Sequence, residues 1–274
     1  MARRKWPGDP ATRRLEDLVT RARSHVYASK SRAGGLVEFV TSGYWRLIAE
    51  TPSFLLVSTV LLLGSGLIGC LWAMSDPPAA LNFVPDAYRV ITEPREAGAD
   101  LGVSGAEQAA LSSFIFTNNI RVSFLAFAAG MTGGLGTGLL LLYNGALFGV
   151  LTGLAISSGN GVPFTELVVP HGVLELSCII FAAAAGLRLG WALVSPGRRT
   201  RREAVIGEAR PAVEIILGTI PWLVLAGLVE GFLTPAGLGL PIALTIGIGL
   251  GLVYWALVIG RGRDQSRARD LARR

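Results

Sequence analysis

The chain has 274 residues, 51% of them hydrophobic and 16% charged, and a formal net charge of +6. Soluble domains carry roughly a quarter charged residues, so this balance excludes an ordinary water-soluble globule. The apolar residues also arrive in long runs, and a bilayer-crossing helix needs about 20 of them at ~1.5 Å each. The composition reads as an all-α, polytopic membrane protein with about six transmembrane helices and N-terminal cytoplasmic amphipathic helices.

Residues 1–51 form a basic cytoplasmic amphipathic segment in this reading. Leu15, Leu18, Val19 and Ala22 recur at helical spacing among Arg13, Arg14, Arg21 and Arg23. Gly34-Gly35 breaks the pattern, and a second stretch, 36–50, gathers Val37, Val40, Tyr44, Leu47 and Ile48 on one side. Tyr44, Trp45 and Arg46 suit the lipid headgroup level. The first fifty residues lack the apolar core of a signal peptide.

Pro52 opens a first span, 52–74, in a first-turn position that proline tolerates. An outer loop, 75–117, carries Glu93, Glu96, Asp100 and Glu107, and its end from Gly105 to Thr117 reads as a short interfacial helix. The next apolar block is broken only by Thr132-Gly133-Gly134-Leu135-Gly136-Thr137-Gly138. Its length fits two spans joined by a tight glycine turn, 119–136 and 138–158, or one long kinked helix with a re-entrant segment. Two spans give the consistent charge topology. Spans 171–194, 212–232 and 237–260 complete a membrane domain at 52–260, and 261–274 is a basic tail.

Lys and Arg set the orientation. Ten of the 25 precede the first span, five lie in the 195–211 connection and six in the tail, whereas 75–117 holds only Arg89 and Arg95. The positive-inside rule puts both termini and the 195–211 connection in the cytoplasm, which requires an even number of spans. The basic excess is then a set of flanks against anionic lipid, and nucleic acid is not an expected partner.

Polar groups in hydrocarbon cost several kcal/mol unless paired, so those inside the spans are the candidate functional residues. They are Asn118, Asn119 and Arg121 at the start of the second span, Asn144 in the third, His171 and Glu175 in the fourth and Glu230 in the fifth. His171 and Glu175, four apart, share one helix face. Two readings stay open: a polar pin that holds helices together, or a relay for protons or a cation. Charge topology puts Asn118, His171, Glu175 and Glu230 near the outer membrane face and turns Gly133–Gly138 on the inner side. Two glycine series, Gly130, Gly134, Gly138 and Gly145, Gly149, Gly153, have the spacing that lets helix backbones approach, within the chain or across a homo-oligomer seam.

No enzymatic signature emerges. His171-Gly172-Val173-Leu174-Glu175 is not a His-Glu-x-x-His zinc helix, Leu63-Gly64-Ser65-Gly66 lacks the first glycine of a rhomboid-type serine motif, and no phosphate-binding loop is present. Cys70 and Cys178 lie in separate spans and read as small apolar filler. No catalytic residue, metal site or cofactor is expected.

Three motifs in order and spacing carry a resemblance: Phe116-Thr117-Asn118-Asn119-Ile120-Arg121-Val122, Tyr143-Asn144-Gly145-Ala146-Leu147-Phe148-Gly149, and Pro170-His171-Gly172-Val173-Leu174-Glu175-Leu176, with the Gly130–Gly138 run after the first. Together they resemble the stage II sporulation protein M family of bacterial membrane proteins. The resemblance implies a multi-span protein without established catalytic activity. The family's namesake acts in engulfment during sporulation, anchoring a complex that contains cell-wall-degrading enzymes, and many relatives occur in bacteria that do not sporulate. The Arg- and Ala-rich composition here points to such a relative. The expected function is a non-enzymatic scaffold in the bacterial cytoplasmic membrane that assembles envelope-remodelling proteins. The alternative is a channel or transporter-like permease using the His/Glu/Asn site.

Overall fold

The computed structural model describes residue 35 and residues 37–97 and 105–272. The first predicted amphipathic helix, around Leu15–Ala22, lies outside the described residues. The chain divides into two compact units, Met1–Thr41 and Ser42–Arg274. Within the described part of the first, the Thr41 hydroxyl donates to the Val37 carbonyl at 2.7 Å, a local helical bond.

The second unit is helical, with no strand among its described residues. Its α-helices are α1 (Tyr44–Ala49), α2 (Pro52–Ser75), α3 (Pro77–Phe83), α4 (Gly105–Ala128), α5 (Leu135–Ser157), α6 (Gly161–Val194), α7 (Arg201–Phe232) and α8 (Leu240–Ala272). Short 3-10 turns fall at Asp86–Thr92, Ala129–Thr132 and Thr234–Ala236. Five helices are long and apolar enough to cross a membrane: α2, α5, α6, α7 and the Leu240–Gly262 part of α8. The protein is therefore a polytopic all-α membrane protein. At 24 residues α4 is about 36 Å long, enough to cross. Asn118, Asn119 and Arg121 stand in its second half and make it less apolar.

Contact registers fix helix directions. On α5, side chains added at Gly145, Gly149 and Gly153 would strike the backbone of Leu62, Gly66 and Cys70 in turn, so α2 and α5 run parallel. Asn119 meets Glu175 and Gly130 meets Gly186, so α4 runs parallel to α6. Gly247 faces Val169 and Gly251 faces Val173, which makes α8 parallel to α6 as well. Arg188 meets Glu208 while His171 meets Thr234, so α7 runs the other way. Direction thus alternates along the chain through α2, α4, α5, α6, α7 and α8. The chain enters and leaves at one end, where a side chain at Gly262 would meet Ala49.

Between α4 and α5 the block predicted as either two spans or one kinked helix is two antiparallel helices. Gly133 and Gly134 turn the chain at φ 72° and 88°, a region that favours glycine. The Thr137 hydroxyl closes the turn on the Ala126 carbonyl at 2.6 Å.

Three features differ from the sequence reading. Tyr44 and Trp45, read as facing lipid headgroups, are buried within the unit together with Leu47 and Ile48. Trp45 packs edge-on against Trp222 and Tyr254, and Gly218 leaves the space that the Tyr44 ring occupies. Gly105–Ala128 is one continuous helix, so Asn118 and Asn119 are interior to it and do not cap it. Helices α6 and α7 start ten or more residues before the predicted spans. Pro163 fits the first turn of α6 and Pro170 is accommodated inside it. Thr200 and Glu203 form a reciprocal capping box that starts α7.

Candidate functional site

The buried polar residues gather along one face of α6. His171, Glu175 and Cys178 stand at i, i+4 and i+7, which places them in file on the buried side of the helix. Each meets a different neighbour. His171 Nδ1 lies 3.4 Å from the Thr234 hydroxyl, just past α7. The Asn119 amide of α4 donates to Glu175 Oε2, and the Ser123 hydroxyl one turn on donates to the Asn119 carbonyl at 2.8 Å. Glu230 of α7 is buried beside them, close enough for the two carboxyl groups to act on each other electrostatically.

The file continues towards the basic end. The Cys178 thiol reaches the Tyr254 hydroxyl at 3.8 Å, which in turn bonds the Tyr44 hydroxyl. Beside it the Trp255 indole donates to the Ser177 hydroxyl at 3.1 Å. Sequence reasoning missed these partners. Cys178 read as filler, although its three-residue offset from Glu175 puts it on the same face. Tyr254 and Thr234 carried no local signal, and Tyr44 read as an interface residue, because their role depends on helices far apart in the chain.

Of the candidate residues, Asn119, Glu175 and Glu230 come together, with His171 one turn away. Asn118 and Arg121 are exposed on α4. Asn144 is half-buried and donates to the Leu140 carbonyl of its own helix at 2.7 Å. Gly145, Gly149 and Gly153 lie on the α2 backbone, and Gly130 lies on Gly186 of α6. Gly134 serves the turn, while a side chain at Gly138 would meet only Leu61 Cδ1 at 3.9 Å. Because α6 begins at Gly161, Glu175 sits about 21 Å along it, deeper than a span starting at 171 implied.

His171, Glu175 and Glu230 are 6%, 3% and 3% exposed. Clefts open between the described helices. One, at the end away from the Gly133-Gly134 turn, is lined by Arg95, Glu166, Pro170 and Thr234; another, between α2 and α5, by Gly66, Cys70, Phe148 and Gly149. Neither is lined by Asn119, His171, Glu175 or Glu230. Among the described residues no group of three or more His, Cys, Asp or Glu is arranged to hold a metal ion. The Asn119–Glu175 bond joins α4 to α6, and in hydrocarbon a polar side chain that finds a partner on another helix fixes that helix's rotation and depth.

A second polar device stands at the end away from the Gly133-Gly134 turn. Asn160, in the turn between α5 and α6, accepts from the Arg95 amide at 3.1 Å and donates to the Ile91 and Glu93 carbonyls at 2.9 and 2.7 Å. It ties the 3-10 segment down over an apolar cluster of Ala73, Ala80, Val84, Val150 and Leu154.

The family described as Stage II sporulation protein M matches residues 57–235, a stretch that holds Asn119, His171, Glu175 and Glu230 and leaves out α1 and α8. An uncharacterized protein of Methanocaldococcus jannaschii is 32% identical over 124 residues, which is 44% of this chain and 69% of that relative. No solved structure matches.

Proposed function

The chain belongs to the stage II sporulation protein M family, and from that membership we propose that it is a non-enzymatic scaffold of the bacterial cytoplasmic membrane. In this reading it assembles proteins that remodel the cell envelope. The six alternating helices α2, α4, α5, α6, α7 and α8 each cross the bilayer. The basic end, with the Gly133-Gly134 turn, the α6–α7 connection and both termini, faces the cytoplasm. The outer end presents α3 and the Asn160-held segment to partners.

The observation that carries the reading is the sealed polar file. His171, Glu175 and Glu230 are buried, and Asn119 half-buried, among helices that pack through glycine, and a permease built on them would need them along a cleft. A rigid core with a held outer segment suits a platform.

The test is site-specific photo-crosslinking in the host cell from Val90, which is 62% exposed on the outer segment. The scaffold reading expects a discrete adduct with a cell-wall hydrolase or its membrane partner, unchanged in a Glu175→Gln chain. Adducts with lipid alone would overturn it.

A further inference from the structure

Five arginines crowd the connection between α6 and the first turns of α7: Arg198, Arg199, Arg201, Arg202 and Arg210. The acidic side chains nearby are all engaged. Glu208 holds Arg188 at 2.7 Å and Arg199 at 3.8 Å, and Glu214 holds Arg210 at 2.8 Å. Glu203 closes the capping box, its carboxylate accepting from the Thr200 amide at 2.9 Å while its own amide donates to the Thr200 hydroxyl at 3.3 Å. Arg198, Arg201 and Arg202 are left exposed, and among the described residues no ion pair holds them.

Along the two helices that this connection joins, the exposed surface turns apolar. Trp191 and Val194 end α6 with 56% and 57% exposure, and Ile206 on α7 is 58% exposed. An exposed indole one turn from the end of a spanning helix marks the interface level of a bilayer. Guanidinium groups above an indole and aliphatic belt match a phospholipid in layering and in charge: phosphate outermost, glycerol and acyl chain below. A nucleic acid or an acidic protein surface would use the arginines and leave the belt without a counterpart.

We propose that Arg198, Arg201 and Arg202, with Trp191 and Val194 beneath them, form a binding site for the headgroup of an anionic phospholipid at the α6–α7 connection. The site rests on the membrane placement of the helices and not on the scaffold reading, so either stands if the other falls.

The experiment is native mass spectrometry of the full-length, delipidated protein, titrated with phosphatidylglycerol or with phosphatidylcholine of the same acyl chains. Saturable, preferential binding of phosphatidylglycerol is expected, and roughly 100-fold weaker binding in the Arg198→Ala/Arg201→Ala/Arg202→Ala chain, since each basic residue near an anionic surface is worth about a factor of ten or somewhat less. Arg210→Ala, which removes a paired arginine from the same connection, should bind like the wild type. The three substitutions fall on exposed side chains, so an unchanged melting temperature certifies the fold. Equal affinity for both lipids, or full binding in the triple variant, overturns the proposal. So does displacement of the lipid by millimolar inorganic phosphate, which would mark a free-anion site.

Discussion

Replacing Gly149 by Ala is expected to push α2 and α5 apart. A Cβ at Gly149 would stand 2.6 and 2.8 Å from the carbonyl carbon and Cα of Gly66, against backbone that cannot rotate away. Carbon atoms rest about 3.5–4.0 Å apart, so the helices must separate by roughly 1 Å, enough to forfeit a quarter to a half of each contact along the seam. Overpacking of this kind costs about 1–3 kcal/mol. For a chain of this size about 2 kcal/mol corresponds to a melting temperature roughly 4–8 °C lower. Two substitutions calibrate it. Gly138→Ala meets only Leu61 Cδ1 at 3.9 Å, and Gly64→Ala meets nothing within 4 Å. Both should hold or gain stability, because alanine is the better helix former. The assay is thermal unfolding in mild detergent with a thiol-reactive fluorogenic dye in a Cys70→Ser background. Fully buried Cys178 then reports loss of the core. If Gly149→Ala melts with Gly138→Ala, the backbone-contact argument for the α2–α5 seam is wrong.

Further outcomes follow from the polar file. Glu175→Gln keeps an acceptor for the Asn119 amide, so it should melt at or above the wild-type temperature, whereas Glu175→Leu strands a half-buried amide and should cost about 1 kcal/mol. Tyr254→Phe keeps its ring contacts with Trp45, Phe181 and Trp222 but loses the hydroxyl shared by Tyr44 and Cys178, an expected loss of about 1 kcal/mol in the same dye assay. Asn160→Ala releases the Arg95 amide, so hydrogen exchange at residue 95 should accelerate while exchange in α5 and α6 stays unchanged. Thr200→Ala removes half of the capping box and should fray the first turn of α7 at a cost of about 1 kcal/mol, read as faster exchange near residue 203.

Much of the fold was legible because hydrocarbon demands long apolar helices, and the runs around 52–74, 138–158 and 237–260 show them directly. The glycine series at 145, 149 and 153 was readable as a packing face for the same reason, though not the helix it packs on. Helix ends were less legible. Residues 159–170 fell between the predicted spans 138–158 and 171–194, yet Pro163 lies in the first turn of α6 and Pro170 is carried inside it. Thr200-Arg201-Arg202-Glu203 held a capping signature within a stretch read only for its charge. The site was half legible. Glu175, Glu230 and His171 stood out as polar groups in apolar runs, but the Asn119–Glu175 bond joins residues 56 apart in sequence and depends on the register between α4 and α6. Asn118, equally polar and adjacent, points elsewhere because one step along a helix rotates a side chain by about 100°. Tyr44 and Trp45 had the chemistry of interface anchors, and only the gap at Gly218 and the ring of Tyr254 explain their burial.

The scaffold proposal holds that half-buried Asn119 and buried His171, Glu175 and Glu230 lock helices together and conduct nothing. It is tested most directly by proton and sodium flux into vesicles reconstituted with the full-length protein under an imposed gradient. The account expects flux no greater than the leak of protein-free vesicles for both the wild type and Glu175→Gln. Wild-type flux well above that leak, abolished by Glu175→Gln, would contradict it.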